Sequence, residues 1–210
     1  MPADRKLSIE RYRRFAQTYD REHARNPNAE KNHRRVVALL RLQPGDTVLD
    51  VGCGTGLNFA LIEDAIGADG AIIGIDQSAE MLSKARGRID AAGWRNVTLI
   101  EAPIEDAAIE EQADALLFSF THDILQTPAA LENVFRHAKP GARVASVGYK
   151  WAPWWALPWN YVIRNLTRYA ITTREGFARP WQPLDAYVPG LQVETAFFGA
   201  IYFAWGKTSR

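Results

Sequence analysis

The residues Val48-Leu49-Asp50-Val51-Gly52-Cys53-Gly54-Thr55-Gly56 form the stretch of this chain with the clearest chemical meaning. A β-branched run leads into the glycines and a helical pattern follows, the context in which such a loop binds a ligand. Glycines at alternate positions let the backbone turn tightly and bring its N–H groups close to a bound molecule. A dinucleotide fingerprint, G-x-G-x-x-G, would need its last glycine at position 57, but Leu57 stands there and Gly56 comes one residue early. Asp50 also sets a carboxylate where a pyrophosphate would be repelled and an ammonium group would be held. A second carboxylate, Asp76, ends Ile72-Ile73-Gly74-Ile75-Asp76, 26 residues after Asp50, which leaves room for one helix and one strand. Placed at the end of a second strand, it can accept both hydroxyl protons of a ribose. Taken alone, Asp76 could be a solvated turn residue; the glycine loop before it argues for the ribose.

Further along stands Ser119-Phe120-Thr121-His122-Asp123, at the end of a nearly continuous apolar run. Open α/β sheets bind ligands at this edge. His122 is a candidate general base there, and Asp123 could orient it or hold an acceptor amine; the alternative is that His122 packs the loop or caps the next helix. The four histidines, His23, His33, His122 and His137, show no metal-ligand spacing. Cys53, the single cysteine, reads as a small packed residue. Trp151, Trp154, Trp155 and Trp159 cluster with Pro153 and Pro158, ahead of Tyr161, Arg164, Arg168 and Tyr169. Such residues line an aromatic pocket, anchor at a membrane interface or cover a sheet as core. All three readings stay open.

The elements that must position these groups alternate. Tyr12, Phe15, Ala16 and Tyr19 recur at helical spacing, and a second helix carries Val36, Val37, Leu39 and Leu40 up to the Pro44-Gly45-Asp46 turn. Strands are expected at 47–51, 71–75, 97–100, 115–120 and 143–149. Helices are expected at 57–66, after Ser78 as N-cap with Gly93 at the far end, and at 129–138, followed by a turn at Lys139-Pro140-Gly141. Strands separated by helices imply a parallel sheet with right-handed crossovers. Two closing runs, 191–198 and 200–205, are divided by Gly199 alone, so they must pair antiparallel.

With 210 residues, 47% hydrophobic and 23% charged, the chain suits one well-buried α/β core. The net charge of +1 argues for no polyanionic partner. Residues 1–41 hold 11 Lys/Arg against 5 Asp/Glu, a basic segment that is either a solvated helix face or a surface for a phosphate or anionic membrane. The polar N-terminus, the lone cysteine and the lack of a spanning apolar run lead to the expectation of a cytoplasmic protein, with peripheral membrane contact as a further reading.

The sequence resembles class I S-adenosylmethionine-dependent methyltransferases of the type-11 group, which includes quinone and phosphatidylethanolamine methyltransferases. The resemblance runs from Tyr12 to Lys207. It rests on residues 50–56, Gly74-Ile75-Asp76, 114–120, Lys139-Pro140-Gly141 and Phe198-Gly199-Ala200-Ile201-Tyr202. It implies an α/β fold, a Rossmann-like, mostly parallel sheet in the order 3-2-1-4-5-7-6, strand 7 antiparallel, with helices on both faces. The single domain would divide into an N-terminal helical cap (1–43), a cofactor-binding core (44–150), an acceptor or lid region (151–190) and a closing hairpin (191–207).

S-adenosylmethionine would be the methyl donor and S-adenosylhomocysteine the product. By this resemblance Asp50, Gly52, Cys53, Gly54 and Gly56 would hold the methionine part and Asp76 the ribose. Tyr19 with Asp20 would close over the cofactor, and Ser119 would border it. Members of the family usually carry Asp after the third strand to receive the adenine amino group; here that position is Pro103. Proline offers neither a side-chain acceptor nor an N–H. Adenine would then depend on the Ile104 amide, on packing by Gln77 and Met81, and on Glu101 or Glu105. Tyr12, Trp151, Trp155 and Trp181 are the acceptor-binding candidates.

The expected activity is methyl transfer to oxygen or nitrogen of a small aromatic or amphipathic molecule. A phospholipid N-methyltransferase at a membrane surface and a non-catalytic S-adenosylmethionine-binding subunit are the alternatives. No nucleic-acid substrate is expected, because base-flipping amino-methyltransferases carry an Asn/Asp-Pro-Pro-aromatic signature that 119–122 does not resemble.

Overall fold

The computed structural model describes residues 27–167 and 171–209. In chain order the elements are α1 (Pro27–Leu39), β1 (Thr47–Val51), α2 (Phe59–Ile66), β2 (Ala71–Asp76), α3 (Ala79–Ala92), β3 (Val97–Glu101) and β4 (Ala113–Ser119). There follow α4 (His122–Leu125), α5 (Pro128–Arg136), β5 (Ala138–Tyr149), α6 (Leu157–Thr167), β6 (Gln192–Ala196) and β7 (Ile201–Lys207). Seven strands form one sheet in the order β3-β2-β1-β4-β5-β7-β6. The first five run parallel, and β7 lies antiparallel between β5 and β6.

Strand alternation divides the core into two layers. Leu49, Val51, Leu116, Phe118 and Val144 face Leu131 and Val134 of α5 on one side. Val48, Ile72, Ala115, Leu117 and Ala145 face α1, α2 and α3 on the other, through Val36, Leu40, Phe59, Ile62, Leu82 and Ile89. Both faces are covered, which is why β1 and β4 are almost uniformly apolar and why Asp50, fully buried within β1, is conspicuous. The direction of winding reverses between β1 and β4, so their carboxyl ends open a crevice at that point.

Local signals set the helix ends. Ser78 caps α3, its hydroxyl accepting from the Met81 amide, and Gly93 takes a left-handed conformation at the other end, φ +73°. Two expectations are corrected. Lys139-Pro140-Gly141 lies inside β5 rather than ahead of it. Ala113 pairs with Ala138 and Ala115 with Arg143, so β5 bulges outward over these residues. The bulge is pinned by Thr208, whose amide donates to the Ala142 carbonyl and whose hydroxyl donates to that of Lys139. The closing hairpin turns over 197–200 rather than at Gly199 alone, with Phe197, Phe198 and Gly199 all at positive φ. One residue cannot reverse a strand; successive left-handed residues match the twist of the hairpin.

The sheet tolerates no side chain at Gly74, where an added Cβ would stand 2.8 Å from the Phe59 ring and 2.9 Å from the Cys53 sulfur. Gly74→Ala is expected to lower unfolding free energy by about 1–3 kcal/mol through overpacking. Gly87, exposed in the middle of α3 with nothing within 4 Å, should behave oppositely. Gly87→Ala is expected to raise stability by roughly 0.5–1 kcal/mol, and urea titrations of the two variants check both signs.

Candidate active site

The glycine loop leaves β1 at the crevice. Gly52, Gly54 and Gly56 all have positive φ, at 73°, 57° and 75°. A Cβ on Gly52 would meet the Thr121 methyl at 2.6 Å, and one on Gly56 the Phe59 ring at 2.7 Å. Above Gly54 nothing lies within 4 Å, so the loop presents bare backbone to open space there. Cys53 is buried, its amide donating to the Ile75 carbonyl at 2.9 Å, and burial pushes its thiol well above the usual range. It packs the loop and offers no thiolate.

Two carboxylates flank this backbone. Asp76 accepts from the Gly54 amide at 3.0 Å and the Ser78 amide at 2.9 Å, which clamps the loop to the end of β2. Desolvation nonetheless raises its pKa above the ordinary value. Asp50 accepts from the Asn58 amide at 3.3 Å through Oδ2, while its buried Oδ1 has no partner among the described residues. Burial pushes Asp50 up to about 7, Asn58 opposes that rise, and the Asp76 charge adds to it. No ion pair to either acid exists among the described residues. A buried carboxyl beside a half-buried one, without a counter-charge among the described residues, suits a cationic ligand. The α-ammonium and sulfonium of S-adenosylmethionine meet that requirement, and its ribose hydroxyls suit Asp76. The residues fit this cofactor.

Asn58 and His33 extend the set and are not singled out by sequence. Asn58 starts α2, and instead of capping it bridges Asp50 to His33 Nδ1, 2.7 Å from its Oδ1. With its amide nitrogen donating to the carboxylate, its oxygen must accept, so His33 carries a proton on Nδ1. Ser119 Oγ, at the end of β4, lies 3.5 Å from the same nitrogen. The spacing of 25 residues between His33 and Asn58 carries no local signal. A polar residue on the buried face of α1 was the one visible clue.

Across the crevice the chain turns sharply. Phe120 has φ +58°, a conformation that strains a non-glycine residue and often marks a functional site. It packs on Tyr149 at 5.1 Å and on His33 at 5.8 Å between ring centres. Next come Thr121 and His122, both buried, and neither the threonine hydroxyl nor either imidazole nitrogen has a hydrogen-bond partner among the described residues. Burial lowers the His122 pKa, with Asp123 and the backbone of Thr173 and Glu175 pulling the other way. Phe177 meets it edge-on at 5.1 Å, and Trp151 lies behind Phe177 at 4.9 Å. Asp123 turns elsewhere, its Oδ2 accepting from the Thr172 amide at 2.9 Å and hydroxyl at 2.6 Å. It tethers the segment that follows α6.

The remaining candidates are dispersed. Met81 is buried in the first turn of α3, with Gln77 half-buried just before it. Ile104 is buried in a short 3-10 turn that Pro103 opens. Trp181 lies in the core against Tyr202, at 5.0 Å, while Trp155 is exposed and touches Phe198. The structure therefore does not bring the three acceptor-candidate tryptophans together. Tyr12 and Tyr19 lie outside the described residues.

Comparison with known proteins agrees with this geometry. A family model described as a methyltransferase domain matches residues 42–156, more than half the chain. The chain is 34% identical over 118 residues to the demethylmenaquinone methyltransferase of Symbiobacterium thermophilum, covering 54% of this chain and 47% of that protein. It is 30% identical over 110 residues to the arsenite methyltransferase of Halobacterium salinarum, covering 51% and 28%. The matched stretch thus spans half or less of these relatives' length. The N-methyltransferase NodS from Bradyrhizobium japonicum WM9, solved with S-adenosylhomocysteine, superposes with a TM-score of 0.66 at 13% identity, over 88% of this chain and 89% of that one. Fold, loop and family model coincide: the chain belongs to the methyltransferase domain family and has the fold of class I S-adenosylmethionine-dependent methyltransferases.

Proposed function

We propose that this chain transfers the methyl group of S-adenosylmethionine to an oxygen or nitrogen of a small aromatic or amphipathic molecule. One observation carries the reading: His122, buried and unpartnered among the described residues, starts a helix that packs directly on the glycine loop through Thr121 and Gly52. The two relatives are named for a quinone and for arsenite, so membership of the family leaves the acceptor open.

The cofactor supplies a methyl group activated by a sulfonium. The chain's own task is to align, to exclude water and to remove a proton. Asp50 and the bare backbone at Gly54 would hold the amino-acid end, and Asp76 would hold the ribose. Met81, Gln77 and the backbone at Ile104 would receive the adenine, since Pro103 gives it no acceptor. Phe120 and Tyr149, both half-buried, offer apolar faces on which an acceptor ring would pack. His122 takes the proton that the acceptor hydroxyl or ammonium must lose, and Asp123 keeps the neighbouring segment in place.

Calorimetric titration with S-adenosylhomocysteine tests the cofactor site. Micromolar binding is expected, weakened roughly 10–100-fold by Asp76→Ala, as loss of charged hydrogen bonds predicts. No binding to the wild-type protein would remove the reading altogether. Binding without transfer from labelled S-adenosylmethionine to any of a panel of phenols, quinols and amines would favour the non-catalytic subunit instead. For an accepted hydroxyl compound, His122→Asn should lower kcat by about 10²–10⁴-fold and leave S-adenosylhomocysteine affinity unchanged.

Asp50 gives a pH signature. In the free protein it takes up a proton as the pH falls through about 7, and a ligand ammonium must displace that proton. Affinity should therefore be flat above pH 7 and fall by about tenfold per pH unit below it. The same raised pKa destabilises the ligand-free fold: the penalty starts near pH ~4, where the unfolded carboxyl ionises, and is complete above the folded-state value. Asp50→Asn should abolish the pH slope and most of the affinity. It should also stabilise the ligand-free protein by roughly 2–4 kcal/mol at pH 8, an advantage that vanishes in acid. Thermal melts across pH check the second half.

A further inference from the structure

Exposed large apolar side chains are confined to few places. Apart from Val193, those among the described residues are Trp154, Trp155, Trp159, Tyr161, Val162, Phe197 and Phe198. They come from two segments distant in sequence, the start of α6 and the β6–β7 turn, and they interlock. Phe198 stacks on Trp159 with ring centres 5.5 Å apart and meets Trp155 edge-on at 6.4 Å. Gly199 backs onto Pro153, and Lys150 Nζ donates to the Gly199 carbonyl at 3.2 Å. Trp154 is 82% exposed, Tyr161 73% and Phe198 56%. Aromatic side chains so displayed are expensive in water.

The backbone keeps them there at a cost. Phe197 and Phe198 both adopt positive φ, where asparagine or glycine would sit without strain. The buried side of α6 is already satisfied: Ile163 packs with Ala152, Ala156, Phe177 and Ala200, and Asn160 exchanges hydrogen bonds with the Ala152 backbone. The exposed rings are thus surplus to the fold.

We propose that this aromatic lip seats the protein on an anionic lipid–water interface. Its composition is Trp, Tyr and Phe rather than aliphatic, as befits side chains that sit at headgroup depth. Its charge is complementary to an anionic surface, since the described residues of 150–181 include Lys150, Arg164, Arg174 and Arg179 against Glu175. Arg164 and Arg174 lie close to each other and form no ion pair with an acid among the described residues. Cations so placed are attracted to a negatively charged bilayer surface. The lip is also continuous with the candidate active site through Phe177, which touches Trp151 on one side and His122 on the other. No helix among the described residues is long and apolar enough to cross a membrane. The docking does not depend on which acceptor atom is methylated.

Co-sedimentation of the full chain with phosphatidylcholine vesicles, with and without phosphatidylglycerol, tests the proposal. Binding to the mixed vesicles is expected, at least fivefold weaker on phosphatidylcholine alone. Trp154→Ser combined with Phe198→Asn should cut it tenfold or more, with S-adenosylhomocysteine affinity and melting temperature at or above wild type; asparagine keeps the left-handed turn. Arg164→Gln with Arg174→Gln should remove the preference for phosphatidylglycerol and leave the remaining binding. Failure of the wild-type protein to bind vesicles would overturn the proposal, as would undiminished binding by the aromatic variant. So would a dimer in sedimentation velocity that the aromatic variant dissociates, because the lip would then be a contact between copies of the chain.

Discussion

A buried carboxylate beside a half-buried one, with no cation to balance them among the described residues, is the constraint around which the described part of this molecule is arranged. A sheet covered on both faces is a poor solvent for charge, and β1 would be more stable with an apolar residue in place of Asp50. The surrounding architecture limits the cost. Backbone amides from the glycine loop and from the start of α3 reach Asp76, and Asn58 reaches Asp50. Neither arrangement neutralises the pair. The site stays electrostatically incomplete, and a positively charged ligand completes it.

Much of this was legible in the sequence because its determinants are local. The strand-loop-helix around 48–56, the two carboxylates, the caps at Ser78 and Gly93 and the antiparallel closing pair all depend on neighbours a few residues away. Sheet order followed from the resemblance. The illegible parts depend on tertiary contact. Nothing near Lys139-Pro140-Gly141 announces a bulge, because what holds it is Thr208 arriving from β7. The His33–Asn58–Asp50 chain joins α1, α2 and β1, and becomes visible only when the three elements meet.

The tryptophans show the same limit from another side. Composition alone left core, pocket and interface open, and the structure distributes them over different surroundings. Trp181 is core, Trp151 stands behind Phe177 near His122, and Trp154, Trp155 and Trp159 face outward. Side chains of one type with one local pattern were separated by how the chain runs between β5 and β6. Period and propensity do not encode that route.

The small cluster of Ala152, Ile163, Phe177 and Ala200 is separate from the two layers that sandwich the sheet. From the end of β5 to Pro180 the chain is held to the body by discrete ties, Asp123 to Thr172, Gln126 to Pro180 and Lys150 to the hairpin turn, before Trp181, Leu184 and Val188 rejoin the core. Attachment of this kind lets a region open and close at lower free energy than the whole protein needs to unfold. It also lets the region be rewritten. A lineage could exchange these residues without disturbing the glycine loop and the two carboxylates.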